Sequence, residues 1–296
     1  MTPVEAAETD LLPIPHTRTC TCASNHVSCT DAKEWIKAQL GVWQFTYEKR
    51  DVRDKAVHPA TFPIALPKRW IELLTHRGEL VLDPFVGAGS TLVAARDAER
   101  NAAGFDLSSD YVRLAKERLN QLSMLEASEQ LAVQADAREI PRYLAPETVA
   151  LIVTSPPYAN LLNRPRKNKS RRGKERQNGQ YLKVEQYSND VRDLGLLAVD
   201  EYGEAMGEIF AGLLPLLRPG AHCVIDIPDM WWEDERITIH TVLIDALRKV
   251  GYEFRNTVIW DRTNIVNRVG IFGWPNNYIT MGTTFEYLLD FRRPKG

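Results

Sequence analysis

The sequence has few cysteines, no long apolar run and no excess of basic residues. Cysteine occurs 4 times in 296 residues, and reduced cysteines of an intracellular chain are the simplest account of them. No apolar run reaches the length of about 18 residues that a membrane span requires, and the acidic, proline-containing N-terminus is unlike a secretory signal. We therefore expect a soluble, intracellular protein. The formal charge is −2, so any binding to nucleic acid must rest on a local basic patch.

Short apolar runs alternate with helical stretches along most of the chain. The predicted strands are 80–83, 102–106, 131–135, 149–154 and 222–227, and the stretches 88–100, 111–122 and 202–217 are predicted helices. This alternation predicts a doubly wound α/β fold with a mostly parallel sheet and helices on both faces. Two later strands, 253–261 and 285–291, have no long helix between them, so we expect antiparallel pairing at a sheet edge. A chain of this length can bury one large core, which we place at residues 45–296 after an N-terminal extension of residues 1–44.

A glycine turn follows the first of these strands. Asp83-Pro84-Phe85-Val86-Gly87-Ala88-Gly89 leads from the strand into a predicted helix. Glycines let a backbone approach a ligand closely, and a helix N-terminus presents free N–H groups to an anion. The turn is not a phosphate-binding Walker loop, because no Gly-Lys-Ser/Thr follows, and Leu92 stands where a dinucleotide fingerprint would have its third glycine.

A second motif, Thr154-Ser155-Pro156-Pro157-Tyr158, directly follows a buried strand. The exocyclic amine of a base has its lone pair delocalised into the ring. Hydrogen-bond acceptors on its N–H groups localise that pair on the nitrogen, where it can act as a nucleophile. The Ser155 side chain and the Pro156 carbonyl can accept those bonds, and the proline pair fixes the direction of the carbonyl. Tyr158 offers a face on which an extruded base could stack. The alternative is an ordinary strand that ends in a proline turn.

Together these motifs resemble the S-adenosylmethionine-dependent amino-methyltransferases of DNA, which modify cytosine N4 or adenine N6. The glycine turn matches their cofactor loop, and Ser155-Pro156-Pro157-Tyr158 matches their catalytic tetrapeptide. His58-Pro59-Ala60-Thr61-Phe62-Pro63 matches the segment that precedes the cofactor loop, and the end of the chain, from Gly273-Trp274-Pro275 to Arg293, is similar to their last strand. The resemblance implies the seven-stranded methyltransferase sheet, Rossmann-like, with an antiparallel edge strand.

The resemblance also implies roles for individual residues. The catalytic residues would be Ser155, Pro156, Pro157 and Tyr158, and the residues that bind S-adenosylmethionine would be Phe62, Asp83, Phe85, Gly87, Gly89, Asp106, Asp136 and Thr154. Asp106 ends the second strand, where an acid accepts hydrogen bonds from ribose hydroxyls. Helix capping is the alternative for both Asp106 and Asp136, and core packing is the alternative for Phe62 and Phe85.

The expected reaction is direct methyl transfer to the amine of a flipped base in double-stranded DNA. Methylation at cytosine carbon-5 would need a thiolate, usually presented in a Pro-Cys pair, and no such pair occurs in the chain. Ser155, where the family more often has Asp, favours cytosine N4 over adenine N6. An RNA amino-methyltransferase and a non-catalytic nucleic-acid-binding subunit remain as alternatives. The resemblance further implies a cytoplasmic, nucleoid-associated prokaryotic protein, with a companion restriction enzyme as an open partner.

A basic segment follows the tetrapeptide, within a loop at residues 159–190. From Arg164 to Lys183 there are nine basic residues and one acid. A solvated charged loop is the alternative interpretation, but the position beside a base-binding strand end favours contact with DNA phosphates. The predicted contacts are Arg164, Arg166, Lys167, Lys169, Arg171 and Arg172. The segment 261–277 is the other candidate for reading bases, and Trp231-Trp232 could pack on a helix or stand near the DNA.

Three of the cysteines lie close together, as Cys20-x-Cys22-x6-Cys29 with His26 between them. Three thiolates and an imidazole could form a small zinc site. The spacing does not match the usual pattern of two ligand pairs, so we predict no metal and reduced cysteines, with the zinc site as the alternative.

Overall fold

Buried strands and flanking helices alternate along the chain in a computed structural model, which describes residues 11–23, 25–52, 61–120, 128–161, 190–232, 235–265 and 283–296. The α-helices are α1 (Ala32–Ala38), α2 (Ala65–Leu74), α3 (Ser90–Asp97), α4 (Ser109–Asn120), α5 (Val199–Leu213) and α6 (Ile239–Lys249). The strands are β1 (Val42–Gln44), β2 (Leu80–Asp83), β3 (Asn101–Asp106), β4 (Gln130–Gln134), β5 (Val149–Thr154), β6 (Leu217–Ile227), β7 (Met230–Trp232), β8 (Glu235–Ile237), β9 (Glu253–Asp261) and β10 (Phe285–Arg292).

Eight of these strands form one mixed sheet, in the order β1-β9-β10-β6-β5-β2-β3-β4. Strands β4, β3, β2, β5 and β6 are mutually parallel, and β10 is antiparallel to both β6 and β9. From β2 the chain winds outward through β3 to β4, whereas from β5 it winds the other way to β6. The point between β2 and β5 is therefore the switch point of a doubly wound sheet, beyond whose carboxyl edge such folds bind ligands.

Both faces of the central strands are buried, which explains their nearly continuous apolar sequence. Leu80 and Leu82 of β2 pack in one core cluster together with residues of α5 and α6. Val81, which points to the opposite face, packs in a second cluster with residues of α2 and α3. Because side chains alternate between the two faces of a strand, each central strand contributes to both clusters. The α/β fold predicted from the sequence is confirmed.

Two details of the predicted sheet are wrong. The sheet has eight strands instead of seven, because β1 pairs in parallel with β9 and places Trp43 opposite Trp260. The antiparallel strand, β10, lies inside the sheet between β6 and β9, not at its edge. A strand of three residues with one buried side chain, Trp43, has no periodicity that the sequence could reveal.

The predicted N-terminal extension contacts the domain at several points. Strand β1 belongs to it, the buried side chain of Ile14 joins the first core cluster, and the Leu12 backbone N–H donates to the carbonyl of Tyr143 at 2.9 Å. The boundary after residue 44 stays a prediction.

Within the described ranges, no helix has both the length and the apolar character that crossing a membrane would require.

Candidate active site

The carboxyl ends of the paired strands β2 and β5 meet through a hydrogen bond. Thr154 Oγ1 donates to Asp83 Oδ1 at 2.6 Å, and the backbone N–H of Phe85 donates to the same oxygen at 3.1 Å. Asp83 is 1% exposed, and burial raises the pKa of its carboxyl group to about 6. The two sequence motifs, which stand about seventy residues apart, are therefore fixed to each other by one buried side-chain contact.

The glycine loop turns back onto the end of β3. Gly87 has φ of +46°, and its backbone N–H donates to Asp106 Oδ2 at 2.9 Å. The other carboxylate oxygen of Asp106 accepts the backbone N–H of Ser108 at 2.8 Å, as in the capping alternative. Burial is the main reason that the pKa of Asp106 rises to about 6. The loop and the acid thus hold each other in place.

Gly89 has a packing role that the sequence did not reveal. It has φ of +81°, and a Cβ atom there would lie 2.9 Å from the Cβ atom of Ala115 on α4. Its lack of a side chain lets α3 begin directly against α4, while its predicted contact with the cofactor stays a prediction. Arg118 of α4, also missed by the sequence reasoning, is buried and donates to the carbonyls of Ala88 in the loop and of Arg50.

A cleft of about 680 Å³ opens at the switch point, along this edge of the sheet. Its lining combines apolar side chains with three carboxylates and two arginines. The lining residues are Pro84, Phe85, Asp106, Leu107, Tyr111, Ala135, Asp136, Ala137, Arg138, Ser155, Pro156, Pro157, Arg192, Asp193, Leu194 and Ile209.

The cleft brings together six of the predicted site residues. They are Phe85, Asp106 and Asp136 from the cofactor set and Ser155, Pro156 and Pro157 from the catalytic set. Asp83 and Thr154 lie buried behind its wall. Phe62 is half-buried and packs against the second core cluster, as in its packing alternative. The cofactor roles of all these residues stay predictions.

Tyr158 differs from its expected position. Its ring is 8% exposed and packs in the first core cluster, and its hydroxyl lies 3.3 Å from Ser155 Oγ. A base cannot stack on a ring that is buried in this way unless the loop moves. Ala159, the next residue, has φ of +49°, which is an unfavourable backbone conformation for a residue with a side chain.

Asp136 combines a capping role with a place in the cleft. Its side chain accepts the backbone N–H of Arg138 at 2.9 Å and caps the 3-10 helix Ala137–Arg142, so the capping alternative is realised. The guanidinium of Arg138 lies 3.2 Å from the same carboxylate, and that of Arg192 lies 4.0 Å from it. The Asp136 carboxylate therefore faces the cleft with part of its negative charge neutralised by the two guanidinium groups.

Several predicted residues lie outside the described part of the chain. They are His58, Pro59 and Ala60, the six predicted DNA contacts Arg164, Arg166, Lys167, Lys169, Arg171 and Arg172, and most of the segment 261–277. Strand β7 carries Trp231 and Trp232 and pairs with β8, but the two tryptophan side chains also fall outside the described part.

The lining suits an amphipathic cation that carries a sugar. The side chains of Phe85, Leu107 and Leu194 offer apolar walls, and the carboxylates of Asp106 and Asp193 offer acceptors for hydroxyl or ammonium groups. The two arginines at the rim already face carboxylates, Asp136 and Asp190, at 4.0 Å or less. S-adenosylmethionine, with its adenosine, sulfonium and ammonium groups, fits this set of residues.

The sheet and the cleft thus define a doubly wound α/β protein with a ligand site at its switch point. Residues 9–117 match the N6/N4 methyltransferase family model, described as DNA methylase. Over these residues the chain is similar to the DNA amino-methyltransferases, and S-adenosylmethionine is its cofactor. The matched segment contains the cofactor loop and ends before the tetrapeptide.

Individual relatives match over short segments. The Type II methyltransferase M.BglI of Bacillus subtilis is 39% identical over 88 residues, which are 29% of this chain and 24% of that protein. The Type II methyltransferase M.HpaI of Haemophilus parainfluenzae is 35% identical over 79 residues, 27% of this chain and 25% of that protein. The chain therefore spans about a quarter of the length of the curated relatives it matches. Among solved structures, TrmN from Thermus thermophilus aligns over 78% of this chain and 48% of its own, with 18% identity and a TM-score of 0.46.

Proposed function

We propose that the protein is a site-specific DNA methyltransferase that transfers a methyl group from S-adenosylmethionine to the exocyclic amine of an extruded base, cytosine N4 in preference to adenine N6. One observation carries this proposal. Ser155, Pro156 and Pro157 line the same cleft as Asp106 and Asp136, so the groups that would address the amine and those that would hold the cofactor share one cavity.

The cofactor supplies an electrophilic methyl group on a sulfonium, so the chain has to align the amine and to expose its lone pair. Ser155 Oγ lies 3.3 Å from the hydroxyl of Tyr158. If Ser155 donates its proton to Tyr158, both lone pairs of the serine oxygen are free to accept an amine N–H. The Pro156 carbonyl accepts the second N–H, and no neighbouring backbone N–H competes, because Pro157 has none.

The position of these acceptors is set by the sheet. Thr154 is the last residue of β5 and is tied to Asp83 of β2, so Ser155 and Pro156 follow a point of the chain that is fixed from both sides. Fixed acceptors accelerate a reaction most when they need no rearrangement as charge develops on the amine. We therefore assign the Thr154 to Asp83 hydrogen bond a positioning role.

The choice of cytosine N4 rests on Ser155. A serine hydroxyl is a neutral acceptor, whereas the aspartate that the family more often has at this position is charged. The amines of cytosine and adenine need the same hydrogen-bond acceptors, so the choice between the two bases rests on this residue. The names of the relatives, Type II methyltransferases, favour a role in a restriction-modification system. Nine basic residues between Arg164 and Lys183 would supply the attraction for DNA that an overall charge of −2 does not.

Mass spectrometry of nucleosides tests the proposal directly. DNA from a host that expresses the full chain should contain N4-methylcytosine that is absent from the same host expressing the Ser155→Ala variant. N6-methyladenine instead would overturn the choice of base but keep the reaction class. Methylated nucleosides confined to RNA, or no new nucleoside from a folded protein that binds S-adenosylmethionine, would overturn the proposal.

A further inference from the structure

A second group of chemically reactive side chains lies at the opposite, amino edge of the sheet. The ligand atoms of Cys20, Cys22, Cys29 and His76 all lie within 4.8 Å of one another. We call these four residues the amino-edge cluster. His76 stands in the turn between α2 and β2, and the four residues of β2 span about 10 Å from this turn toward the cleft. The cluster is therefore separate from the candidate active site.

The distances within the cluster match those of a tetrahedral metal site. The Nδ1 atom of His76 lies 3.3 Å from Cys20 Sγ and 3.6 Å from Cys29 Sγ. Zinc bonds of about 2.3 Å to sulfur and about 2.0 Å to nitrogen, at the tetrahedral angle, place a sulfur and a nitrogen ligand about 3.5 Å apart. The three cysteines are free, although their sulfur atoms lie close together.

The imidazole of His76 is oriented as a metal ligand requires. Its Nε2 atom lies 3.0 Å from the carbonyl oxygen of His26, which can only accept a hydrogen bond. The proton of the neutral ring is therefore on Nε2, and Nδ1 directs its lone pair at the thiols. Metal-bound histidines typically donate their other ring N–H in this way, and the bond fixes both the tautomer and the ring orientation. His76 is also 5% exposed, so its position is held by the fold.

The cysteine loop is docked onto the turn that carries His76. The Thr19 backbone N–H donates to the carbonyl of Arg77 at 2.8 Å, and Thr30 Oγ1 donates to the carbonyl of Glu72 at 2.7 Å. Gly78 has φ of +80°, and a Cβ atom there would lie 2.7 Å from the carbonyl oxygen of Thr17. The two segments thus meet closely on both sides of the cluster, and the four ligands come from a prearranged contact.

We propose that the amino-edge cluster binds one Zn²⁺ ion through three thiolates and one imidazole. Four protein ligands leave no open coordination position, so the site is structural and fixes the segments 17–23 and 25–30 to the domain. On binding, the three thiols lose their protons to the solvent, and the metal-bound state stabilises the fold because the unfolded chain has no such site. His26, the imidazole that the sequence placed in the group, contributes its carbonyl to His76 and leaves its exposed side chain outside.

Metal analysis of the full-length protein tests this site without reference to methyl transfer. Protein purified under reducing conditions and dialysed against Zn²⁺ should retain one zinc per chain. Replacement by Co²⁺ should give the thiolate-to-cobalt charge-transfer bands and the intense visible bands of tetrahedral coordination. Removal of the metal with a chelator should lower the melting temperature, and added Zn²⁺ should restore it.

Matched variants identify the fourth ligand. His76→Gln and Cys29→Ser should lose stoichiometric zinc, whereas His26→Ala, which keeps the backbone carbonyl, should retain it. Circular dichroism reports whether each variant is folded. If the variants fail to fold, the cobalt spectrum of the unaltered protein still tests whether the amino-edge cluster binds a metal ion. The proposal is overturned if the unaltered protein retains no zinc and gives no tetrahedral cobalt spectrum, if His26→Ala loses the metal while His76→Gln keeps it, or if two of the cysteines form a disulfide under the same reducing conditions.

Discussion

The two edges of the parallel sheet carry different kinds of chemistry. At the carboxyl edge, a cleft of about 680 Å³ is lined by carboxylates and apolar side chains. At the amino edge, the ligand atoms of three cysteines and one histidine lie within 4.8 Å of one another. An open, acidic cavity suits a cofactor that must enter and leave, whereas a closed set of soft ligands suits a metal ion that stays.

This difference also separates reaction from stability. The carboxyl groups of Asp83 and Asp106 at the carboxyl edge are buried, and burial raises the pKa of each to about 6. Keeping these buried groups ionised lowers the free energy of unfolding. Zinc at the amino edge would contribute folding free energy. Variants at the carboxyl edge should therefore change turnover or cofactor affinity and leave the zinc content unchanged.

The largest effect is expected from the catalytic tetrapeptide. Ser155→Ala should lower turnover by at least about 100-fold, the usual loss when a fixed acceptor or donor of the transition state is removed. Pro156→Ala should also lower turnover, because it keeps the carbonyl but releases the backbone angle that proline fixes. Affinity for S-adenosylmethionine, measured by calorimetry, should stay within about twofold, because these residues address the amine. Ser128→Ala, which lies before β4 at the amino edge, is the matched control. A Ser155→Ala enzyme that keeps most of its turnover would remove the catalytic assignment.

Gly87→Val should abolish detectable binding of S-adenosylmethionine. A branched residue strains a backbone with φ of +46° and disturbs the N–H that donates to Asp106 Oδ2 at 2.9 Å. Gly41→Val is the control, because no atom lies within 4 Å of a Cβ atom built there. The measurement is cofactor affinity in variants that circular dichroism shows to be folded. Unchanged affinity in Gly87→Val would place the cofactor elsewhere.

The basic segment should govern the salt dependence of DNA binding. Replacing Arg166, Lys167, Arg171 and Arg172 with glutamine should flatten the log–log salt slope by about 0.9 for each DNA phosphate that the variant no longer neutralises. Cofactor affinity should stay the same. The control replaces four exposed basic residues of α1 and α4, namely Lys33, Lys37, Arg113 and Lys116, with glutamine. Equal slopes for the unaltered protein and the loop variant would move the DNA surface to other residues.

A smaller, pH-dependent effect is expected at Asp106. If its carboxylate accepts a ribose hydroxyl, affinity for S-adenosylmethionine should fall as the pH drops through about 6, where the carboxyl group becomes protonated. Asp106→Asn should bind at least about tenfold more weakly at pH 8, since a hydrogen bond to a charged group contributes about 1.5–3 kcal/mol. The variant should also show a weaker pH dependence near 6, where Asp83, whose pKa is also about 6, continues to titrate. A pH profile that the substitution leaves unaltered would contradict the role of Asp106.

Features encoded by neighbouring residues were predictable from the sequence, and features that join distant segments were not. Asp83 to Gly89 and Thr154 to Tyr158 each carry their chemistry within a few positions, and strand periodicity placed both motifs at strand ends. His76 lies 47 residues beyond Cys29, so only the fold reveals that it, and not His26, completes the cysteine group. The burial of Tyr158 and the close approach of Gly89 to Ala115 likewise depend on packing between elements.

Transfer of a labelled methyl group by the purified chain tests the central claim most directly. The protein is incubated with S-adenosylmethionine carrying a deuterated methyl group and with duplex DNA of mixed sequence, and the digested nucleosides are separated by mass spectrometry. The account predicts label in N4-methylcytosine for the unaltered protein and none for Ser155→Ala at equal cofactor occupancy. Label that appears equally with both proteins, or none with a folded protein that binds the cofactor and DNA, would contradict it.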